Sequence, residues 1–267
     1  MIDTHCHLDD HRFAPGELPD LLARALEAGV SGAVTVGCDL ASSQAGLTLA
    51  ETHDRVAVAV GVHPHEAKHW SAAAAWTLRH LATSQCVVAY GEIGLDFHYN
   101  LSEPDAQLTA FREQLELAGD LGLPVIIHCR DAYDEMLPDI SSWLEAGRTA
   151  IMHCWAGTPE QAACYTAAGA HLGFGGMVTF KSADAIRQAC VETPDHLLLL
   201  ETDAPWLAPI PYRGSRNEPS RVAQVAAVVA RLRGSTVEGI DTLTTANAMR
   251  AYPGLAAALA AGPGSAM

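Results

Sequence analysis

Short runs of β-branched and apolar residues recur along the chain, and histidines and carboxylates gather where those runs stop. The runs are Met1–His5, Gly32–Val36, Val56–Gly61, Val87–Gly91, Pro124–His128, Ala150–His153, Ala170–Phe174 and Leu197–Glu201. Longer Ala-, Leu- and Glu-rich segments separate them: Leu18–Ala28, Ser42–His53, Ala72–Thr83, Pro104–Leu121, Tyr133–Ala146, Pro159–Ala168 and Ala183–Val191. A near-continuous apolar run suits a strand buried on both faces, and an intervening helix is the crossover that keeps successive strands parallel. Eight strands alternating with helices predict an α/β chain folded as one TIM-type (β/α)8 barrel. An open doubly wound sheet would show the same periodicity and is the competing architecture. Arg221–Arg233 and Thr244–Ala251 are expected as C-terminal helices. The barrel is expected over 1–254, and the Ala/Gly-rich stretch 255–267 as a frayed, low-complexity tail.

Helix punctuation agrees with this division. Gly29, Gly122, Gly147 and Gly169 each follow a helical segment, where glycine accepts the left-handed C′ conformation without a Cβ clash. Thr158-Pro159 places a capping side chain before a proline suited to the first helical turn.

Composition narrows the class. Hydrophobic residues are 49% and charged residues 18% of 267, which excludes wholesale disorder. No apolar run approaches the roughly 18 residues a membrane helix needs. The segment after Met1 has neither a basic stretch nor an apolar h-region, so no secretory signal is expected. Seven cysteines without CxxC spacing make a poor disulfide framework, which points to a reducing, cytoplasmic setting. Sixteen basic against 31 acidic residues give a net charge of −15, and Lys68 and Lys181 are the sole lysines. Such a surface opposes tight, sequence-independent binding of a phosphate backbone, while a local basic patch still admits an anionic substrate.

The unusual residues fall at strand C-termini, the rim where barrel enzymes build their sites. Asp3, His5 and His7 end the first strand, His63 and His65 the third, Glu92 and Asp96 the fourth. His128 ends the fifth, His153 the sixth, and Glu201-Thr202-Asp203 the eighth. Side chains at i and i+2 of a strand share a face, so His5 and His7 can reach one cation while Cys6 faces away. By the same alternation Cys129 and Cys154 are expected to face the helices as small hydrophobes. Imidazole with carboxylate suits Zn, Mn, Fe or Ni, and a bridging carboxylate suits a pair of ions.

The segments Asp3-Thr4-His5-Cys6-His7-Leu8, Gly61-Val62-His63-Pro64-His65 and Gly91-Glu92-Ile93-Gly94-Leu95-Asp96 carry a family resemblance. So do Ile127-His128-Cys129-Arg130-Asp131-Ala132, His153-Cys154-Trp155-Ala156-Gly157 and Glu201-Thr202-Asp203-Ala204-Pro205. In order and spacing they resemble the TatD metal-dependent hydrolases of the amidohydrolase superfamily, over about Met1 to Pro219. The resemblance implies a TIM barrel, two divalent ions (Mg, Mn or Zn) and phosphodiester hydrolysis of the deoxyribonuclease kind, trimming strand ends. It implies that His5, His7, Glu92 and Asp203 hold one ion, and that Glu92 bridges to a second held by His128 and His153. It puts His63 beside the substrate phosphate and makes Asn217-Glu218-Pro219 a structural brace.

Other assignments rest on residue type. Asp203 is the candidate acceptor of the attacking water's proton, with Glu92 as its catalytic partner. Arg130, two residues after a ligand, suits a phosphate oxygen, or else pairs with Asp131 or Asp134. Asp3 is expected to orient a histidine from behind, and Asp96 either to do likewise or to cap a loop. His65 is read as a solvated loop residue or a site residue, and Arg213, Arg216 and Arg221 as a positive collar or a solvated loop. Trp155 and Trp206 flank ligands as base-stacking groups or as rim packing.

Three function classes remain open: a phosphodiesterase acting on DNA or another phosphodiester, a hydrolase of C–N or C–O bonds in a small molecule, and a catalytically silent barrel. No membrane association or obligate protein partner is expected, and a monomer is the default.

Overall fold

The computed structural model describes residues 1–261. Eight parallel strands form one sheet in chain order: β1 Ile2–Cys6, β2 Gly32–Val36, β3 Val56–Val60, β4 Val87–Asp96, β5 Val125–Arg130, β6 Ala150–Met152, β7 His171–Phe174 and β8 Leu198–Leu200. The last strand returns to the first. The Asp203 amide donates to the His5 carbonyl at 2.9 Å, the His7 amide donates to the Ala204 carbonyl at 2.7 Å, and Cys6 bridges Ala204 in parallel. Closure excludes the open doubly wound sheet.

Helices α1 Leu18–Glu27, α2 Leu40–Thr52, α3 Ala72–Leu81, α4 Pro104–Leu121, α5 Tyr133–Glu145, α6 Pro159–Ala168 and α7 Asp184–Glu192 are the crossovers. Helices α8 Val222–Leu232, α9 Val237–Ala251 and α10 Leu255–Ala260 follow β8. Alternation divides the strand residues into two sets. Ile2, Val34, Ala57, Val88, Ile126, Ile151 and Leu199 pack with Tyr252 and Leu255 in the barrel interior. Ala33, Val56, Val58, Val125, Ile127, Met152, Leu198 and Leu200 pack outward against the helices. The end of α9 and α10 thus plug the floor, and the opposite end is left for chemistry.

Three boundaries differ from expectation. Helix α9 begins at Val237, not Thr244, because the Thr236 side chain accepts from the Gly239 amide and caps it. Strand β4 runs five residues past Gly91 to Asp96, because Gly94 at φ +145° lets it lie against β5: a Cβ there would sit 1.9 Å from the His128 carbonyl oxygen. The stretch after 254 opens as a helix, since Leu255 and Ala258 share a face buried against the barrel floor. Residues 262–267 of that stretch lie outside the described residues.

Candidate metal centre

The open rim holds a cleft of about 490 Å3 lined by His7, His63, Glu92, His128, His153 and Asp203, among others. Strand β1 brings the His5 and His7 Nε2 atoms to 3.3 Å of each other. Glu92 sits where the β4–β5 register shifts between Tyr90 and Ile93, and its amide is held by the Gly37 carbonyl at 2.9 Å. A register irregularity re-aims a side chain, here toward the barrel axis. Asp203 leaves β8 at φ +57°, a left-handed conformation that aspartate tolerates better than most residues.

The two oxygens of Glu92 address different histidines. Oε2 lies 3.4 Å from His5 Nε2 and 4.0 Å from His7 Nε2. Asp203 Oδ1 completes that group at 3.4 Å from His7 and 4.0 Å from His5. Oε1 lies 2.9 Å from His128 Nδ1, 2.9 Å from His153 Nε2 and 3.5 Å from His63 Nε2. Donors bound to one ion at about 2.1 Å stand about 3.0–3.4 Å apart when adjacent and about 4.2 Å apart when opposite. The separations in the first group, and the nitrogen and oxygen donor types, fit a borderline divalent cation. His5 with Glu92 and His153, His5 with His7 and Asp203, and His63 with Glu92 and His128 each converge closely enough to hold an ion.

At His7 and His128 the far nitrogen shows which near nitrogen has a free lone pair. His7 Nδ1 faces the Val36 carbonyl at 2.8 Å, so it carries the proton and Nε2 is open. His128 Nε2 donates to Asp96 Oδ2 at 3.1 Å, which leaves Nδ1 open beside Glu92. His153 Nδ1 lies 3.3 Å from Glu201 Oε1 without forming a hydrogen bond, and its Nε2 lies 2.9 Å from Glu92 Oε1. Such carboxylate–histidine pairs orient metal ligands. His63 is the reverse case. Its Nδ1 accepts from the His65 amide at 3.1 Å, so the proton sits on Nε2, which faces the cleft as a donor.

Burial and neighbouring charge shift these groups in different directions. Burial opposes ionisation of Glu92, but His153, His63 and His128 outweigh it and hold the carboxyl well below its usual range. Burial lowers His5, and neighbouring His153 lowers it further. Burial likewise keeps His63 neutral. Around His153, burial favours the neutral ring, but Glu92 and Glu201 outweigh it and raise its proton affinity.

Asp96 takes both roles considered for it. Oδ2 accepts from His65 at 2.9 Å and from His128, while Oδ1 accepts from the His98 and Tyr99 amides. His65 therefore belongs to the site wall and is not a solvated loop residue. Asp3 braces a strand instead of orienting an imidazole: its carboxylate accepts from the Thr202 amide at 2.8 Å and hydroxyl at 2.6 Å, and burial pushes its pKa up to about 8. Arg130 lines the cleft with its guanidinium 4.8 Å from the Tyr99 ring centre, while Asp131 pairs with His98. Arg216 is committed to Glu17, and Arg221 to the Arg216 carbonyl and the Tyr212 face, so neither joins a collar at the cleft. Glu218 braces α1 through Arg24 at 2.8 Å. Trp155 is 1% exposed against Tyr133 and Tyr165 and is core, whereas Trp206 lines the cleft.

Cys129 is buried as expected. Cys154 is not turned into the helix layer. Strand β6 ends at Met152, so alternation no longer applies, and Cys154 at φ +47° keeps its thiol near His153 and Glu201. The sequence gives no role to Cys38, whose Sγ lies 3.7 Å from His7 Nδ1, or to Glu201 beside His153. Glu201 stands one residue past the end of β8 and two before Asp203, and its place at a strand C-terminus is the signal the sequence carries.

Comparison with known proteins agrees with this architecture. The family described as TatD related DNase matches residues 2–253. The chain is 40% identical over 261 residues to a 3'-5' ssDNA/RNA exonuclease TatD of Erwinia amylovora, covering 96% of this chain and 100% of that protein. It is 37% identical over 252 residues to the uncharacterized metal-dependent hydrolase YabD of Bacillus subtilis, covering 94% and 98%. Among solved structures, the TatD homologue YJJV of Escherichia coli superposes with a TM-score of 0.89 at 30% identity, covering 95% and 98%. A match across nearly the whole barrel places the chain in the TatD-related DNase family of metal-dependent hydrolases.

Proposed function

We propose that this protein is a metal-dependent phosphodiesterase that trims the ends of single-stranded DNA or RNA, with one catalytic barrel spanning 1–254. The observation that carries the reading is the split address of Glu92, whose oxygens each face a separate set of imidazoles. His5, His7, Glu92 and Asp203 would hold one cation, and Glu92, His128 and His153 a second, drawn from Mg, Mn or Zn. Bound there, such cations acidify a water and neutralise charge on a phosphoryl group.

The chain's own groups supply the rest. Asp203 lies 3.4 Å from His7 through Oδ1, which leaves its second oxygen to take the proton of the attacking water. His63 Nε2–H donates to a non-bridging phosphate oxygen, and its neutral ring avoids an unpaired buried charge. Arg130 offers a second, charged donor from the cleft wall. Asp96 holds the His128 ring in the tautomer that ligation needs, and Glu201 faces His153 Nδ1 at 3.3 Å.

Seven free cysteines suit a protein working in the reducing cytoplasm. Among the described residues no helix is long and apolar enough to cross a membrane. The test is hydrolysis of bis(p-nitrophenyl) phosphate, of single- and double-stranded DNA and of a neutral amide, after EDTA and with Mg, Mn and Zn restored separately. Metal-restored cleavage of the phosphodiesters is expected; cleavage of the amide alone would favour the small-molecule hydrolase instead.

A further inference from the structure

Two aromatic side chains stand exposed at the mouth of the cleft, Tyr99 at 53% and Trp206 at 42%. Water-exposed rings of this size are unfavourable, and at a ligand site they commonly mark a surface that is covered in use. Tyr99 follows β4 and Trp206 follows β8, and strands four apart in a closed ring of eight lie on opposite sides of the barrel. The two rings therefore flank the metal centre from opposite walls.

Each ring is backed by an arginine from the next strand around the barrel. Arg12, after β1, places its guanidinium 3.3 Å from the Trp206 ring centre. Arg130, at the end of β5, places its own 4.8 Å from the Tyr99 ring centre. A guanidinium over one face fixes the ring by cation–π attraction and leaves the other face free. Tyr99 also stands perpendicular to His65 and His98, with ring centres 5.7 Å and 4.8 Å away. The Trp206 amide donates to the Asp203 carbonyl at 2.8 Å, which ties that platform to the candidate base. The acidic surface noted above gives a long phosphate track little purchase, so binding has to come from another source at the rim.

We infer that Trp206 and Tyr99 are paired nucleobase platforms, one on each side of the scissile phosphate. The inference rests on the phosphodiesterase reading and deepens it: the ligand is the unpaired end of a nucleic-acid strand, with the two bases flanking the cleaved bond splayed onto opposite walls. Stacking of this kind tolerates any base and needs the strand to be single, because a paired base has no free face to offer. A duplex end would have to unpair before its last phosphate reached the centre.

The test compares two oligonucleotides of equal length and charge, one with normal bases and one abasic at its last two residues. The ratio of their kcat/KM values is measured for the wild type, Trp206→Ala, Trp206→Phe and Tyr99→Ala in saturating metal, and their affinities by fluorescence anisotropy. Wild type is expected to favour the base-bearing end by about tenfold or more, each alanine variant to pull the ratio toward one, and Trp206→Phe to restore most of it. An unchanged ratio in both alanine variants, or equal loss on both substrates, would overturn the inference while leaving the phosphodiesterase reading intact. Inertness of the wild type toward both oligonucleotides would instead contradict that reading, and the platforms with it.

Discussion

His5-x-His7 and His63-x-His65 have the same spacing, reach the same cleft and come to opposite ends. On extended β1 the first pair converges, with Nε2 atoms 3.3 Å apart and the His7 proton drawn off to the Val36 carbonyl. The second pair flanks Pro64 at the start of a 3-10 turn over Pro64–His69. There the His63 Nδ1 caps the turn by accepting from the His65 amide, and His65 swings to Asp96. Period-two spacing puts two rings on one ion only while the backbone stays extended. What each ring can then do is set by the partner of its far nitrogen. A far nitrogen that donates leaves a lone pair for a cation, and one that accepts leaves a proton for an anion.

The largest expected effect removes what the two groups share. Glu92→Ala should lower phosphodiesterase kcat/KM by a thousandfold or more, well beyond the roughly 10–100-fold cost of a supporting residue, with the circular dichroism spectrum unchanged. Near wild-type turnover with verified metal content would end the bridging role. Next, the two histidine pairs should split by readout. His7→Ala is expected to lose bound metal at fixed free Mn, whereas His63→Ala keeps its metal and raises KM for phosphodiesters, with partial recovery in His63→Gln. Loss of metal in both, measured by equilibrium dialysis, would erase the distinction.

A smaller effect should follow at the supporting carboxylates. Asp96→Asn and Glu201→Gln should each weaken metal affinity by about 10–100-fold, read by calorimetric titration. Affinities equal to wild type would mean that the rings hold their tautomers without help. The smallest effect lies away from the centre. Burial lowers the pKa of His171, at the start of β7, to about 4, against 6.5 in the unfolded chain. Between those values the unfolded state binds more protons, so stability falls as pH falls from 6.5 toward 4. Replacement by leucine should flatten the decline of Tm over that window; an unaltered slope would show that other groups set it.

Much of this is legible in the sequence alone. Barrel architecture was written in apolar strands at regular intervals, and the ligand candidates in the residues that ended them. Sequence reasoning failed where the chain left regular structure. Alternation misplaces Cys154 because β6 stops at Met152. The second pair of histidines stayed ambiguous because a 3-10 turn after Pro64 has no apolar period to announce it. Asp3 looked like a partner for an imidazole, yet the return of β8 beside β1 hands it Thr202 from 199 residues away. Arg216 looked like a contributor to the site until folding set Glu17 against it. In each case the deciding neighbour was a tertiary one.

The most direct measurement is the number of Mn ions bound per chain at saturation, by equilibrium dialysis with elemental analysis, for wild type, Glu92→Ala and His63→Ala. Two ions in wild type and in His63→Ala, with fewer than two in Glu92→Ala, is the predicted result. A single ion in wild type, or two retained without Glu92, would contradict a centre built on one carboxylate shared between two sets of imidazoles.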